Sequence, residues 1–364
     1  MAVVSGKFGK IMAGASNLLE VRNWKLSTSG GSRTYTSSST SGMQRTVDGV
    51  HSGTVSFELV LDPAGPIEDQ LDIGDLASMM LYRTASDMYS VTCRITSVDD
   101  DVNIEEGEPP TLAVEADTHG AWYGPLSFPT PKLWLDADCT SSLTLDGSSV
   151  SAWQSKGTGA AAFSHTGANR PTYVASGIGG QPSIAFAIAS SQYLAYTGTV
   201  MTAAAGTFIC VTSFSSNTAM QIVYAQANPA VANQFSTVGR RSSDSPAYRW
   251  VLLSGTTGVA LSYGTAQLAH STPYILTATS GGASNWNSWI NGAVDSVANT
   301  GVTYWPGALA SDTHSYIGAV IKSDGNAYHG GQLAEIMAWD TVLTQAELNS
   351  VKQYLARKYS ITVS

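Results

Sequence analysis

The chain has 364 residues, enough for two ordinary domains that each bury a core. Hydrophobic residues make up 43% and charged residues only 12%, which excludes a disordered polyelectrolyte and suits a β-rich protein whose surface is Ser, Thr, Gly and Ala. The net charge of −9 lies wholly in residues 1–128, with 8 basic and 17 acidic side chains, while residues 129–364 hold 10 of each. Such a surface repels phosphate and argues against tight nucleic-acid binding.

Leu19, Val21 and Trp24 to Leu26 predict a first strand, followed by a Ser/Thr-rich loop from Arg33 to Ser41. Val55, Phe57, Leu59 and Leu61 alternate with Thr54, Ser56, Glu58 and Val60, the period of a half-buried strand, and Asp62-Pro63-Ala64-Gly65-Pro66 ends it. Ile67 to Leu71 reads as one or two helical turns, and Ala77 to Tyr82, Tyr89 to Val98 and Thr111 to Ala116 as further strands. Several short strands in this span argue for a small β-sandwich or barrel.

Three prolines, Pro125, Pro129 and Pro131, then fall within seven residues and favour a stiff connector. This gives a first domain over 1–124, a linker over 125–131 and a second domain over 132–364. In the second, Thr207 to Phe214, Gln221 to Ala225, Tyr248 to Leu253, Tyr274 to Thr279, Asn287 to Ile290, His314 to Ala319 and Gln332 to Trp339 read as strands. Asn291-Gly292 signals a hairpin. Thr344 to Glu347 fits a capping box, with Leu348, Val351 and Leu355 striping the helix behind it. The fold class is all-β, a small sandwich or barrel and then a jelly roll with one C-terminal helix.

Chemistry is sparse. Cys93, Cys139 and Cys210 are odd in number and widely spaced, hence free, mostly buried thiols. The six histidines lack metal-ligand spacing, and Gly177-Ile178-Gly179-Gly180 reads as a turn rather than a phosphate cradle. Asp136 and Asp138 could face the same way as a calcium site, or as a carboxylate pair with no further partner identified. Glycosidases need two carboxylates roughly 5–10 Å apart, and no nucleophile elbow is present; the chain reads as a non-enzyme without a cofactor. Trp286, Tyr304 and Trp305 are candidates for stacking on a sugar, with core packing as the alternative; Trp289 and Trp339 read as core. No stretch approaches ~18 apolar residues, so no membrane span is expected, and Met1 to Lys10 lacks a signal-peptide pattern.

The stretches Leu133-Trp134-Leu135-Asp136-Ala137, Val150-Ser151-Ala152-Trp153, Arg170-Pro171-Thr172-Tyr173, Gly180 to Phe186 and Ser191-Gln192-Tyr193-Leu194 lead to Leu333-Ala334-Glu335-Ile336-Met337-Ala338-Trp339 and then to Tyr354-Leu355-Ala356-Arg357-Lys358-Tyr359. With these the second domain resembles the laminin-G/concanavalin A-like lectin family. That resemblance implies a jelly roll, and no single function, since family members bind glycans, bind proteins, hydrolyse sugars or decorate.

The first domain, on Val21 to Leu26, Gly49 to Phe57, Leu61-Asp62-Pro63, Ile73-Gly74-Asp75, Val91 to Val98 and Gly120-Ala121-Trp122, resembles phage tail-tube proteins and related virion β-barrels. That resemblance implies a self-assembling virion protein made in the host cytoplasm. Its partners would be copies of itself in hexameric rings around a DNA channel, other virion proteins, and host glycans met weakly by an outward lectin-like domain. Head-decoration proteins, commonly trimers, share such barrels and stay open as the alternative; a free glycan-binding adhesin or glycosidase is the third. Asp99, Asp100, Asp101, Glu105, Glu106 and Glu108 are candidates to line an acidic lumen, or are simply solvated loop charges.

Overall fold

The computed structural model describes residues 2–6, 8–13, 17–35, 45–60, 73–74, 76–82, 88–99, 111–118, 128–215, 220–232, 234–240, 247–254, 259–282, 286–295, 298–299, 305–308 and 312–363. These form two compact units, Met1–Ser127 and Phe128–Ser364. The described residues are all-β apart from short 3-10 turns and one C-terminal α-helix. Among the described residues no helix is long and apolar enough to cross a membrane.

Among the described residues the first unit has seven strands: β1 (Ala2–Gly6), β2 (Phe8–Ala13), β3 (Asn17–Tyr35), β4 (Arg45–Val60), β5 (Leu76–Tyr82), β6 (Met88–Asp99) and β7 (Thr111–Thr118). Their order is β1-β3-β2-β5-β6-β7-β4, and β4 pairs back onto β3, so the antiparallel sheet closes on itself. β1 and β2 lie along the same edge of β3, at Trp24 to Thr28 and Asn17 to Val21, and act as one broken strand. The period of two decides the packing. Trp24, Leu26, Val55, Phe57, Ala77, Met79, Leu81, Cys93, Ile95, Val114 and Ala116 fill the interior, while Lys25, Thr54, Arg94, Glu115 and Asp117 face outward.

β3 and β4 run on past this closed sheet. β1 reaches only Thr28, and β7 reaches only Thr54. Beyond them residues 29–35 and 45–52 pair solely with each other, from Ser29 opposite Ser52 to Tyr35 opposite Arg45. At the rise of a strand this ribbon extends roughly 20 Å. Arg33 to Tyr35, expected in a loop, therefore belong to a strand; the rest of that loop, Ile67 to Leu71 and Glu105 to Pro109 lie outside the described residues.

The second unit is an antiparallel β-sandwich. One sheet runs through 293–295, 286–290, 273–280, 206–213, 331–339 and 133–136, and the other through 194–197, 314–317, 221–227, 234–240, 247–254 and 259–267. Short strands at 149–154, 162–164, 172–174 and 183–186 join them at one side. Between the sheets lie Leu135, Trp153, Phe163, Phe208, Cys210, Tyr224, Leu276, Ile317 and Ile336.

The helix Gln345–Lys358 covers the outer face of the first sheet, so strands 206–213 and 331–339 are buried on both faces and read as nearly continuous apolar runs. Thr344 caps the helix: its Oγ1 accepts from Glu347 N at 3.3 Å, and Thr344 N donates to Glu347 Oε2 at 2.7 Å. Asn291 and Gly292, at φ 48° and 82°, make the tight turn between Trp286–Ile290 and Ala293–Asp295.

The second unit begins four residues before the sequence boundary at 132. Phe128 packs on Trp134, Trp339 and Tyr354 with ring centroids 5.7–6.2 Å apart, and Trp339 Nε1 donates to Pro129 O at 2.8 Å. Phe128 to Pro131, read from the sequence as linker, therefore pack with the second unit.

Candidate functional site

Asp136 does not face outward as a cation ligand. It is fully buried, and Lys358 Nζ sits 2.8 Å from both of its oxygens, with Lys156 Nζ 2.9 Å from Oδ2. Asp138 turns away, partly exposed, with Oδ2 4.0 Å from Lys358 Nζ. Two ammonium groups already hold the buried Asp136 carboxylate, which corrects the calcium reading of Asp136 and Asp138. Among the described residues no cluster of three His, Cys, Asp or Glu could hold a metal.

The carboxylate partner of Asp136 is Glu335, directly opposite on the neighbouring strand. Lys358 Nζ reaches Glu335 Oε2 at 3.1 Å, Tyr359 OH donates to the same oxygen at 2.9 Å, and Trp134 Nε1 donates to Oε1 at 2.7 Å. Burial pushes Asp136 up, but Lys358 and Lys156 together outweigh it and hold the carboxyl below its usual range. Glu335 is raised by burial and then by the charge of Asp136. Burial works against the Lys358 ammonium, yet Asp136 and Glu335 leave its pKa well above normal. Glu335 and Lys358 are each only 1% exposed, so no substrate reaches this pair as it stands. It fastens the end of the helix to two strands. The stretches around Leu133 to Ala137, Leu333 to Trp339 and Arg357 to Tyr359 supply most of its members.

The sugar-stacking candidates are also corrected. Trp286 and Trp305 are 6% and 0% exposed and pack on each other at 5.4 Å between ring centroids; adjacency to Asn and Gly misled, because these rings fill the sandwich core. Tyr304 lies outside the described residues, whereas Trp289 and Trp339 are buried, as expected. Of the acidic candidates, Asp99 is exposed at the end of β6 opposite Ala113, and Asp100, Asp101, Glu105, Glu106 and Glu108 lie outside the described residues. Cys93, Cys139 and Cys210 are buried and form no disulfide among the described residues. Gly179, at φ 61°, lets the backbone meet the carbonyl of Tyr359, so the glycine run is a packing turn.

A group of rings that the sequence did not single out lies on the outer face of the second sheet. Tyr316 is its buried floor, stacked on His314 at 5.9 Å and 11°. Tyr193 stands beside it, 6.1 Å from Tyr316, 4.6 Å from His165 and 6.4 Å from Tyr328. Tyr193, Tyr328, His165 and His314 are partly exposed. The strand register places Ala195 and Ala225 on either side of Tyr316. Tyr328 comes from a two-stranded hairpin, 319–320 with 327–328, and its OH accepts from Asn326 Nδ2 at 3.2 Å. Burial and the Tyr193 hydroxyl raise Tyr316 to about 12; burial and Arg170 lower His165. Only the separation of 123 residues between Tyr193 and Tyr316 hid this cluster from sequence reasoning.

No family model and no curated protein matches the chain. Among solved structures it is similar to the carbohydrate-binding module of a Ruminococcus gnavus intramolecular trans-sialidase bound to α2,3-sialyllactose, with 16% identity over 42% of this chain and 85% of that one, and a TM-score of 0.36. Domain 4 of the extracellular arabinanase AbnA of Geobacillus stearothermophilus, in complex with arabinotriose, overlaps 62% of this chain and 100% of its own at 14% identity and a TM-score of 0.40. A leech intramolecular trans-sialidase overlaps 45% of this chain and 24% of its own, at 14% identity and a TM-score of 0.37. At these values the overlaps fix neither a ligand nor an activity for this chain.

Proposed function

We propose that this chain is a structural subunit of a tailed-phage virion, in which the first unit builds the assembly and the second is carried on it as a lectin-like module. The observation that carries this reading is the ribbon of residues 29–35 and 45–52, whose two outer edges pair with no other strand among the described residues. A two-stranded ribbon is marginal by itself in water. Its outward amides and carbonyls are a template for a further strand, and a neighbouring copy can supply one in a closed ring.

The acidity of residues 1–128 supports the tail tube over a head-decoration protein, since a negative wall lets DNA pass without holding it. Many copies of a weak glycan contact on one particle would add avidity without a strong single site.

Electron microscopy of the purified full chain tests the reading. Stacked six-fold rings or tubes are expected. A variant in which residues 30–51 are replaced by Asn-Gly, closing the hairpin at Ser29 and Ser52, should stay dispersed while both units still melt cooperatively. Dispersed monomers from the intact chain at every concentration would overturn the assembly reading, and trimers that dock on capsids would replace tube by head decoration.

A further inference from the structure

We infer that the outer face of the second sheet carries a sugar-stacking site for a neutral pyranose chain, built on Tyr193 and Tyr328 with His165 and His314 at its margin. The inference rests on the reading of the second unit as a ligand-contacting module, and it moves the contact away from Trp286 and Trp305.

Three features of the face point to this ligand. The first is ring geometry. Tyr193 is held edge-on against His165 (84°) and braced by Tyr316, so its orientation is set before any ligand arrives. Tyr328 lies 6.4 Å away at 39°. Two partly exposed rings at this spacing offer adjoining apolar faces to the C–H side of a sugar ring.

The second is the polar rim. The hydroxyls of Tyr193 and Tyr316 form no hydrogen bond among the described residues, and Tyr328 OH uses only an acceptor position, toward Asn326. A saccharide presents hydroxyls in the plane of its ring and C–H groups above and below, so these groups meet its edge while the rings meet its face. Among the described residues the large exposed aliphatic side chains of this unit, Leu145, Val231, Val294 and Val342, lie outside the cluster, and Met220 and Ile321, which pack against it, are only partly exposed. A lipid or an apolar protein patch would find little to bury against.

The third is charge. Two acidic side chains are matched by cations, Asp324 with Lys322 at 2.6 Å and Asp146 with Arg170 at 2.9 Å. Burial and then Arg170 lower the His165 pKa and so favour its neutral form. Among the described residues the face carries no uncompensated Lys or Arg that would select a carboxylated sugar over a neutral one.

Saturation-transfer-difference NMR on the intact full chain, with millimolar maltotriose, cellotriose and 3′-sialyllactose as separate probes, tests the site. The site predicts transfer to ring protons of at least one neutral trisaccharide. Tyr193→Ala and Tyr328→Ala should each weaken binding about tenfold, the worth of one aromatic contact. Tyr193→Phe should keep most of the transfer, and thermal melts identify any variant that has simply unfolded. No transfer from either neutral sugar, transfer to 3′-sialyllactose alone, or equal affinity in the folded double alanine variant would each overturn the inference. Ring formation by the same samples is scored by microscopy, so loss of sugar contact and loss of assembly register as different failures.

Discussion

Replacing Lys358 by Met removes one ammonium group and keeps most of the apolar stem. Lys358 Nζ is 2.8, 2.8 and 3.1 Å from three carboxylate oxygens at a site 1% exposed. The substitution leaves Asp136 with Lys156 alone and Glu335 with two neutral donors, Trp134 and Tyr359. Breaking a buried ion pair by deleting one partner costs about 3–5 kcal/mol, because the stranded charge stays out of water. In a unit of about 240 residues each kcal/mol lowers Tm by about 2–4 °C, so the expected drop is roughly 6–20 °C. Seven of the nine tryptophans lie in this unit, so a near-UV circular dichroism melt reports it specifically.

The sign with pH is also fixed. A raised Lys pKa gives stability that is present below the unfolded value of about 10.4 and lost as pH climbs through the folded one. In the variant the stranded carboxyls protonate more readily, which relieves them in acid, so the deficit should be larger at pH 8 than at pH 5. A Tm change under about 2 °C, or a deficit that grows toward pH 5, would refute the reasoning.

His329 is fully buried between Phe186 and Phe214, its Nδ1 has no partner among the described residues, and burial lowers its pKa to about 4. Its neutral form is favoured in the fold, so about 3 kcal/mol is lost as pH falls from 6.5 through 4; His329→Leu should flatten that part of a urea-melt pH series, and an unchanged slope would count against it. Among the described residues neither Asp312 oxygen has a hydrogen bond of good geometry, and burial lifts its pKa to about 7 against a smaller opposing pull from the Gln226 side chain. A raised carboxyl loses stability as pH rises from 4 through 7, so Asp312→Asn should stabilise by about 2 kcal/mol at pH 8 and by nearly nothing at pH 4, read from chemical denaturation. Thr344→Ala should cost about 1 kcal/mol through loss of the helix cap, seen as a Tm drop of about 2–4 °C in the second unit.

Local signals were legible where one physical cause dominated. The alternation around Val55 and Phe57, the Asn291-Gly292 turn and the Thr344 to Glu347 cap each depend on neighbours in sequence, and each appears at the expected place. β4 begins ten residues before the alternating stretch, because ribbon pairing needs no buried face to mark it. Long-range chemistry was not legible. Asp136 looked unpaired because its partners Glu335 and Lys358 lie about 200 residues away, and a lysine near the end of an amphipathic helix reads as solvated until the fold buries it. The same holds for Trp286, whose polar neighbours in sequence gave no hint that Trp305 covers it.

Hydrogen–deuterium exchange of the full chain, compared between particles and dispersed subunits, tests the assembly role of the ribbon most directly. If β3 and β4 edges pair between copies, amides in 29–35 and 45–52 that point away from the hairpin should exchange at least tenfold more slowly in particles, while core amides such as those of Phe57 and Ile95 change little. Equal exchange of the ribbon in both states would contradict the account, because the assembly would then be holding itself together elsewhere.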